Sequence, residues 1–468
     1  MTAPVMPVAA PAPAPTPRPE PAAPRSYQFP HFERRTLANG LRIVVAPVSK
    51  LPIATVIAVV EAGAEVEPVG KEGVASLTAR LLLEGAAGMD GAALADRFER
   101  IGASVESHAD WDVAAVSLTA LTARLPEALG LVRDLLRAPE FPEREVARLK
   151  EERLAELLQQ RAEPRGLADE QFSRAVYQST ARYASPSDGD GPSVRGLSRA
   201  DVRAFYEARY RPSATTLVFA GDVTMAHASA LTDELFADWS GDRPARAAGG
   251  IDAAQSGRLV RVVAKSDAPQ SELRVGHLGL PRSVADYFDT MVMNAVLGGL
   301  FSSRINLNLR EAHGYTYGAF SGFEWRRAAG PFVVSTAVKS DVTGAAVQEI
   351  LGEIERMRTE EIGEDELTLA TSYLDGVFPI RYETTSAIAA ALANLVIHDL
   401  PDGYYDQYRD RVRGVTTAGV LRAAQAHLHP DELRIVVVGD PAVVAAPVAD
   451  VAGTTAEIVA PDGVGQTS

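Results

Sequence analysis

The sequence predicts an α+β fold built from two homologous mixed α/β domains. Three observations support this prediction. The chain has 468 residues, of which 46% are hydrophobic and 23% charged, so it is long enough to bury more than one core. It contains two copies of one pattern of strands and helices. Within each copy the strands and helices occur in runs rather than in strict alternation, which favours α+β over a doubly wound parallel sheet.

The duplication is visible as a constant separation between matching segments. Residues 196–222 align without a gap with residues 414–440, which lie 218 positions later (414 minus 196). The same separation carries the strand-like segment 41–46 onto 259–264. One such match arises easily by chance, whereas a shared separation over a strand, a helix and a turn indicates two copies of one supersecondary plan.

Hydrophobic periodicity predicts the same order of elements in both copies. Two strands are followed by two helices, then by strands with alternating apolar residues, then by helices, and each copy ends in a β-rich Gly-Asp segment. The predicted segments are 41–47, 53–61, 73–84, 91–101, 114–120, 142–161 and 217–222 in the first copy, and 259–264, 271–279, 284–297, 302–312, 331–337 and 435–440 in the second.

We expect five regions along the chain. Residues 1–30 are rich in Ala and Pro and predict a disordered, extended spacer. Residues 31–240 and 257–446 are the two predicted domains. Residues 241–256 have the Gly- and Ala-rich composition of a linker. We expect residues 447–468 to form a flexible tail.

Composition excludes several classes of protein. A net charge of −15 repels phosphate backbones and anionic lipids, so we expect neither nucleic acid nor a membrane as a partner. The absence of cysteine excludes disulfides, thiol nucleophiles and Cys-ligated zinc. No apolar run reaches the roughly 18 to 20 residues of a spanning helix. The N-terminal segment does not read as a signal peptide, so the compartment stays open: periplasmic if an export signal was lost upstream, and otherwise cytoplasmic.

Several familiar catalytic motifs do not occur. The sequence has no G-x-x-x-x-G-K-[ST], no G-x-G-x-x-G and no G-x-S-x-G, which argues against nucleotide-binding and serine-hydrolase functions. None of the eight histidines forms H-E-x-x-H or H-x-x-E-H, the spacings that place two imidazoles on one face of a helix. His427 and His429 are a candidate metal pair, and their place at a helix end is the alternative explanation. We expect this chain to bind no metal.

The most informative segment lies in the second copy. Leu-Gly-Gly-Leu-Phe-Ser-Ser-Arg at 297–304 is followed by Arg-Glu-Ala-His-Gly-Tyr-Thr-Tyr at 310–317. Gly298 and Gly299 predict a helix end with positive φ, and Ser302 or Ser303 is the predicted cap of the next helix. The segment resembles the Arg/Tyr signature of the pitrilysin/insulinase family of zinc peptidases.

The first copy resembles the other half of the same family's site, but in degenerate form. Gly73-Val-Ala-Ser-Leu-Thr-Ala-Arg80 stands where active members carry G-x-A-H-x-x-E-H. Ser76 and Arg80 take the places of the two zinc-binding histidines, and Ala79 that of the glutamate that activates water. Glu156 falls near the place of the third zinc ligand, where a solvated helix residue is the alternative interpretation. A guanidinium at Arg80 repels a dication and would pair with Glu156.

The resemblance implies a fold of two such domains forming half of a clamshell, and a bacterial subunit that has no zinc of its own. Arg310 and Tyr317 would be its catalytic residues, acting in trans on peptides at a zinc ion held by a homologous partner subunit. The alternative for the pair is a helix-end contact of Arg310 with Glu311 and a tyrosine in a strand. The alternative for the chain is an inert scaffold of the same fold. A peptidase that works alone is the third possibility, although the missing H-x-x-E-H makes the chain inactive on its own by this reasoning.

Overall fold

A computed structural model describes residues 26–245, 253 and 256–461. In the first copy the elements are β1 (Glu33–Thr36), β2 (Arg42–Pro47), β3 (Ile53–Val60), α1 (Val74–Leu81), β4 (Gly85–Ala86), β5 (Met89–Asp90), α2 (Gly91–Arg100), β6 (Ser104–Ala109), β7 (Ala114–Leu121), α3 (Leu125–Arg137), α4 (Glu143–Ala162), α5 (Pro164–Val176), α6 (Gly191–Gly196), α7 (Arg199–Arg209), β8 (Thr215–Gly221) and α8 (Met225–Phe236).

The second copy follows the same plan. Its elements are β9 (Leu259–Ala264), β10 (Gln270–Leu278), α9 (Tyr287–Asn294), α10 (Arg304–Asn306), β11 (Ala319–Phe323), β12 (Pro331–Lys339), α11 (Thr343–Thr359), α12 (Glu364–Arg381), α13 (Thr385–Ile397), α14 (Tyr404–Arg413), α15 (Thr417–His427), β13 (Arg434–Gly439), α16 (Pro441–Ala452) and β14 (Ala456–Val459). Helices α9 and α10 continue as π-helical segments, Ala295–Gly299 and Leu307–Ala312.

Each copy forms one six-stranded mixed sheet, which confirms the predicted α+β class. The strand order is β1-β2-β8-β3-β7-β6 in the first sheet and β14-β9-β13-β10-β12-β11 in the second. The two orders correspond strand for strand except at one edge, where β1 runs antiparallel to β2 and β14 runs parallel to β9. The capping residues repeat as well, because Ser198 caps α7 and Thr416, 218 residues later, caps α15.

The constant separation between the copies is wrong for the first two strands. Arg42 of β2 pairs with Thr216, whereas the residue that pairs with the equivalent Arg434 is Leu259, a separation of 217 rather than 218. The registers of β3 and β10 give the same 217, and those of β7 and β12 return to 218. The second copy thus has one more residue between these strands, in the stretch that contains both π-helical segments. A π-helical turn accommodates such an added residue.

Each copy sends one helix onto the sheet of the other. Helix α5 packs on β10 and β13 of the second sheet, where Leu167 and Phe172 contact Val436 and its neighbours. Helix α13 packs on β3 and β8 of the first sheet, with a hydrogen bond of 2.9 Å between Thr385 and Thr55. The predicted domains 31–240 and 257–446 therefore exchange helices, and each needs the other to cover its sheet.

Two of the expected unstructured regions are partly folded, which corrects those expectations. In the spacer, Phe29 is buried and stacks on Tyr405, with ring centroids 4.5 Å apart. In the expected tail, α16 extends to Ala452 and β14 pairs with β9. Apolar side chains in both segments are buried against the second copy, which explains their order. Residues 1–25 and 462–468 lie outside the described part of the chain, as does most of 246–255 within the expected linker.

The exchange of helices makes a stability prediction. Leu167→Ala removes a buried side chain from the contact of α5 with the second sheet, and we expect it to lower the free energy of unfolding by about 2–5 kcal/mol. Leu158→Ala, on the 73%-exposed Leu158 of neighbouring α4, is the matched control and should change stability by less than about 0.5 kcal/mol. Urea unfolding measures both. Equal effects of the two substitutions would contradict the exchange.

Candidate functional site

Helix α1 carries the degenerate zinc motif, and its start is fixed by a buried carboxylate. Glu67 accepts hydrogen bonds from the backbone N–H groups of Gly73 (3.0 Å) and Ala75 (2.7 Å) and from Nε of Arg182 (2.7 Å). Gly73 has φ +94°, and a Cβ there would lie 2.6 Å from the carbonyl oxygen of Asp188. Acceptance of free N–H groups at a helix start by a carboxylate is favourable. The helix is therefore positioned without help from a metal.

The space beside α1 that a metal would need is closed by Arg80. Ser76 and Arg80 line a cavity of only about 10 Å³, at the lower limit for one water molecule. The Arg80 guanidinium binds Glu152, and its Nη1 lies 3.5 Å from Oε1 of Glu156. Glu156 also contacts Nη1 of Arg153, at 3.2 Å. The predicted pair of Arg80 and Glu156 is present, with Glu152 as a further partner that the sequence did not indicate.

Zinc does not fit these residues. Two guanidinium groups hold Glu156, and neither Ser76 nor Arg80 supplies an imidazole. In the described ranges 26–245 and 256–461, no group of three or more His, Asp or Glu side chains is placed to hold a metal ion. We therefore derive no reaction step through a metal in this chain.

The candidate metal pair His427 and His429 is engaged in structural contacts. His427 ends helix α15, and its Nε2 lies 2.7 Å from Oδ2 of Asp286. The backbone N–H of His429 donates to Nε2 of His277 at 3.1 Å, and Nδ1 of His277 donates to the carbonyl oxygen of Leu278 at 2.9 Å. Both nitrogens of His277 are used, so this ring is neutral and has no lone pair left for a metal.

Arg310 lies on the π-helical segment that follows α10. The position of that segment is fixed on both sides. Arg304 makes a two-bond ion pair with Glu366 of α12 (2.7 Å for both bonds), and Asn308 donates to Glu353 of α11 at 2.8 Å. Gly298 approaches β11 so closely that a Cβ would lie 2.3 Å from Oγ of Ser321. This close packing, rather than the predicted positive φ, explains the glycine there.

The guanidinium of Arg310 is partly exposed and has two neighbours. It lies over the ring of Phe301, 4.4 Å from the centroid, and its Nε is 3.4 Å from Oε1 of Glu311. The contact with Glu311 is the alternative that we set out for this residue, but an exposed pair of this kind contributes at most about 1 kcal/mol. Arg310 therefore stays available to an incoming group, and the aromatic ring supports its orientation.

Tyr317 is the most exposed large aromatic side chain of the described residues, at 94%. It lies in the loop before β11 rather than in a strand. The backbone of this loop is held, because Oγ1 of Thr316 accepts from the N–H of Gly318 at 3.1 Å and from Oγ1 of Thr336 at 3.0 Å. Within the part of the chain that the structure describes, no hydrogen bond joins Tyr317 to Arg310. Both side chains face solvent from segments of fixed backbone.

A cavity of about 650 Å³ adjoins Tyr317, and the sequence did not lead us to it. Charged residues of α5 and β10 line it together with Phe320 of β11. One signal was present in the sequence. Gln270, Glu272 and Arg274 alternate with Ser271, Leu273 and Val275 along β10, which places three polar residues on one face of a buried strand.

Comparisons with known proteins agree with the motifs. The model described as "Insulinase (Peptidase family M16)" matches residues 42–185, and that described as "Peptidase M16 inactive domain" matches residues 196–374. An uncharacterized zinc protease of Rickettsia felis is 21% identical over 350 residues, which cover 74% of this chain and 82% of that protein. Subunit 1 of the mitochondrial cytochrome b-c1 complex of Bos taurus is 26% identical over 212 residues, 45% of this chain and 44% of that one.

A solved structure supports the fold. The crystal structure of a peptidase M16 inactive domain from Pseudomonas fluorescens superimposes with a TM-score of 0.82 at 26% identity, and covers 88% of this chain and 98% of that one. Among the described residues of our chain, no helix combines the length and the apolar character that a membrane crossing requires.

The closed space beside Arg80 makes a prediction about metal binding. We expect Ser76→His combined with Arg80→His to bind Zn²⁺ with Glu156 as third ligand, because the substitutions remove the guanidinium and add two imidazoles on one helix face. Addition of Glu156→Gln to this variant should weaken zinc binding about tenfold or more. Titration calorimetry measures both affinities. If the double variant binds no zinc better than the unsubstituted chain, α1 and α4 do not keep the geometry of a metal site.

The buried His277 makes a prediction about pH. Burial lowers the pKa of His277 to about 4, from about 6.5 in an unfolded chain. Below pH 6.5 the unfolded state takes up a proton that the folded state refuses, so the free energy of unfolding should fall between pH 6.5 and 4, by about 3 kcal/mol from this residue. His277→Gln should flatten that fall in denaturant titrations at several pH values. An unchanged pH dependence in this variant would assign the effect elsewhere, for example to His398, whose pKa burial also lowers to about 4.

Proposed function

Because the chain belongs to the insulinase family, peptidase family M16, we propose that it is the non-zinc subunit of a heteromeric metalloendopeptidase. A homologous partner chain with an intact H-x-x-E-H motif would hold the zinc ion. This chain would supply Arg310 and Tyr317 to the shared site. Its two domains would form one half of a clamshell that encloses a peptide.

One observation carries the proposal. The half-site on α1 is closed by the ion pairs of Arg80, whereas Arg310 and Tyr317 remain exposed and are held by a fixed backbone. A chain that had lost all function would have no need to keep a cation and a phenol at solvent on a segment fixed by Arg304 and Asn308. The contrast between the two half-sites favours a role in trans.

The chemistry of these two groups suits peptide hydrolysis. Attack of water on a peptide carbonyl places negative charge on its oxygen, and donors aimed at that oxygen lower the barrier. The phenol O–H of Tyr317 is one such donor. The Arg310 guanidinium has five N–H donors in a fixed fork, so it can bind a backbone carbonyl of the substrate while it offsets the developing charge. The metal in the partner would activate the attacking water.

A scaffold function is the second candidate. The similarity to subunit 1 of the cytochrome b-c1 complex of Bos taurus favours it, because that protein is a subunit of a multiprotein complex. As a scaffold, this chain would bind a homologous partner without contributing to catalysis. The two candidates differ in one observable, the dependence of cleavage on Arg310 and Tyr317.

The test is a cleavage assay with a zinc-bearing partner. The chain is co-expressed with a homologous chain that carries H-x-x-E-H, and kcat/KM is measured on unstructured fluorogenic peptides. We expect Arg310→Ala and Tyr317→Phe each to lower kcat/KM by roughly 10² to 10³, the usual loss for removal of one transition-state donor.

Two matched substitutions control for indirect effects. Tyr373→Phe changes another half-exposed tyrosine, on α12, and Arg97→Ala removes a surface arginine that pairs with Glu127. Both should leave kcat/KM within about twofold of the unsubstituted complex. Cleavage that persists at full rate in Arg310→Ala and Tyr317→Phe would refute the catalytic role and leave the scaffold function.

A further inference from the structure

The cavity beside Tyr317 arises from the helix exchange. Helix α5 covers the part of the second sheet formed by β9, β13 and β10, while the part formed by β10, β12 and β11 is left open on the same face. The register pairs Arg274 with Ser335 and Ser335 with Phe320, so these three residues form a row across the open strands. The first turns of α5 make one wall, and Tyr317 stands at the rim.

A cluster of charged side chains lies in this cavity. Arg274 is 3% exposed, its Nε is 2.6 Å from Oδ1 of Asp169, and its Nη1 is 2.8 Å from Oε1 of Glu272. Glu272 is also buried, with its side chain 10% exposed. Buried charges are costly to keep, and apolar residues of similar size often serve stability better. The cluster therefore calls for a reason other than stability.

The first copy provides an internal comparison. By strand register, the residues equivalent to Glu272 and Arg274 are Thr55 and Ile57, on the face that α13 covers. Thr55 bonds to Thr119 (3.0 Å) and to Thr385 of α13 (2.9 Å), and no charge is present among these residues. The same supersecondary plan thus forms without the charged cluster. Folding of this motif does not require it.

One member of the cluster is held loosely. Arg165, the second residue of α5, has a side chain that is 78% exposed, and its Nε lies 3.6 Å from Oε1 of Glu272. This distance is beyond hydrogen-bond range, and exposed ion pairs of this kind contribute little. Arg274 and its two carboxylate partners leave one negative charge uncompensated within the cavity, and the Arg165 side chain balances it from the rim. A cation from outside can replace Arg165 at small cost.

We propose that this cavity is a subsite for a cationic side chain, Lys or Arg, of a bound peptide. The incoming ammonium or guanidinium binds Glu272 and displaces the side chain of Arg165 toward solvent. Arg274 holds Glu272 in place from the opposite side, and Tyr317 at the rim joins the subsite to the peptide backbone. The net charge of −15 adds a general attraction for cationic peptides. This inference rests on the proposed function, because it names the substrate class of the same surface.

The test measures binding rather than cleavage, and it uses the full chain without a partner. Three fluorescein-labelled peptides, identical except for one central Arg, citrulline or Glu, are titrated by fluorescence anisotropy. We expect the Arg peptide to bind about tenfold more tightly than the near-isosteric citrulline peptide, and the Glu peptide most weakly. Arg165→Ala should tighten the Arg peptide several-fold and leave the citrulline peptide unchanged. Glu272→Gln should reduce the ratio between the two to about one.

A pair of charge-matched variants separates the subsite from the general field of the protein. Arg165→Glu and Arg144→Glu change the net charge equally, and each alters the second residue of a helix where an arginine contacts a glutamate. Only Arg165→Glu should tighten the Arg peptide by more than the small gain that net charge gives. This comparison does not need Glu272→Gln to fold, because both arginines are exposed.

Three outcomes would overturn the inference. They are equal binding of the Arg and citrulline peptides to the unsubstituted chain, equal gains in Arg165→Glu and Arg144→Glu, and a preference that survives Glu272→Gln in a variant with the circular dichroism of the folded chain. None of these results involves Arg310 or a zinc-bearing partner. Failure here therefore leaves the catalytic proposal standing, and failure of the cleavage test leaves the binding result standing.

Discussion

The reciprocal packing of α5 and α13 is the contact on which the rest of the molecule depends. Each sheet covers one face with helices of its own copy and the other with a helix from the opposite copy. Since a sheet of this kind needs both faces buried, neither copy completes its core alone. Helix α4 is tied to the same contact, because only Glu163 separates it from α5. The packing thus also places Glu152 and Glu156 of α4 beside Arg80, and it leaves open the part of the second sheet that becomes the cavity.

A difference of one residue between the copies sets apart the segment that carries Arg310 and Tyr317. In a strand, a shift of one position turns every side chain to the opposite face, so the register of β2 and β3 against β9 and β10 cannot slip freely. The added residue of the second copy falls between β10 and β12, where the chain forms its two π-helical segments. Such segments often occur at functional sites. Here they bring Gly298 against β11 and leave Arg310 free at the surface.

Electrostatics distinguish the two halves of the molecule. On α1, every charge near the degenerate motif has an opposite partner, as the contacts of Arg80 with Glu152 and Glu156 illustrate. Near Tyr317, by contrast, buried charges of both signs border open space, and the balancing Arg165 is loosely held. A closed set of ion pairs resists any ligand, because desolvation and the loss of existing pairs oppose binding. A cluster balanced by one exposed arginine accepts a ligand of the same charge at little cost.

Much of the fold and part of the site could be predicted from the sequence, because they depend on local pattern. Hydrophobic periodicity indicated the order of strands and helices, the repeat indicated the duplication, and the motifs singled out Arg310, Tyr317 and the pair of Arg80 with Glu156. The sequence could not indicate which sheet α5 and α13 cover, since their apolar faces fit either one. It also could not indicate that Arg165 meets Glu272, because residues more than a hundred positions apart on different copies become neighbours only through the exchange of helices. The tertiary structure alone decided the register shift, the order of the terminal segments and the cavity, since each results from packing between parts of the chain that are distant in sequence.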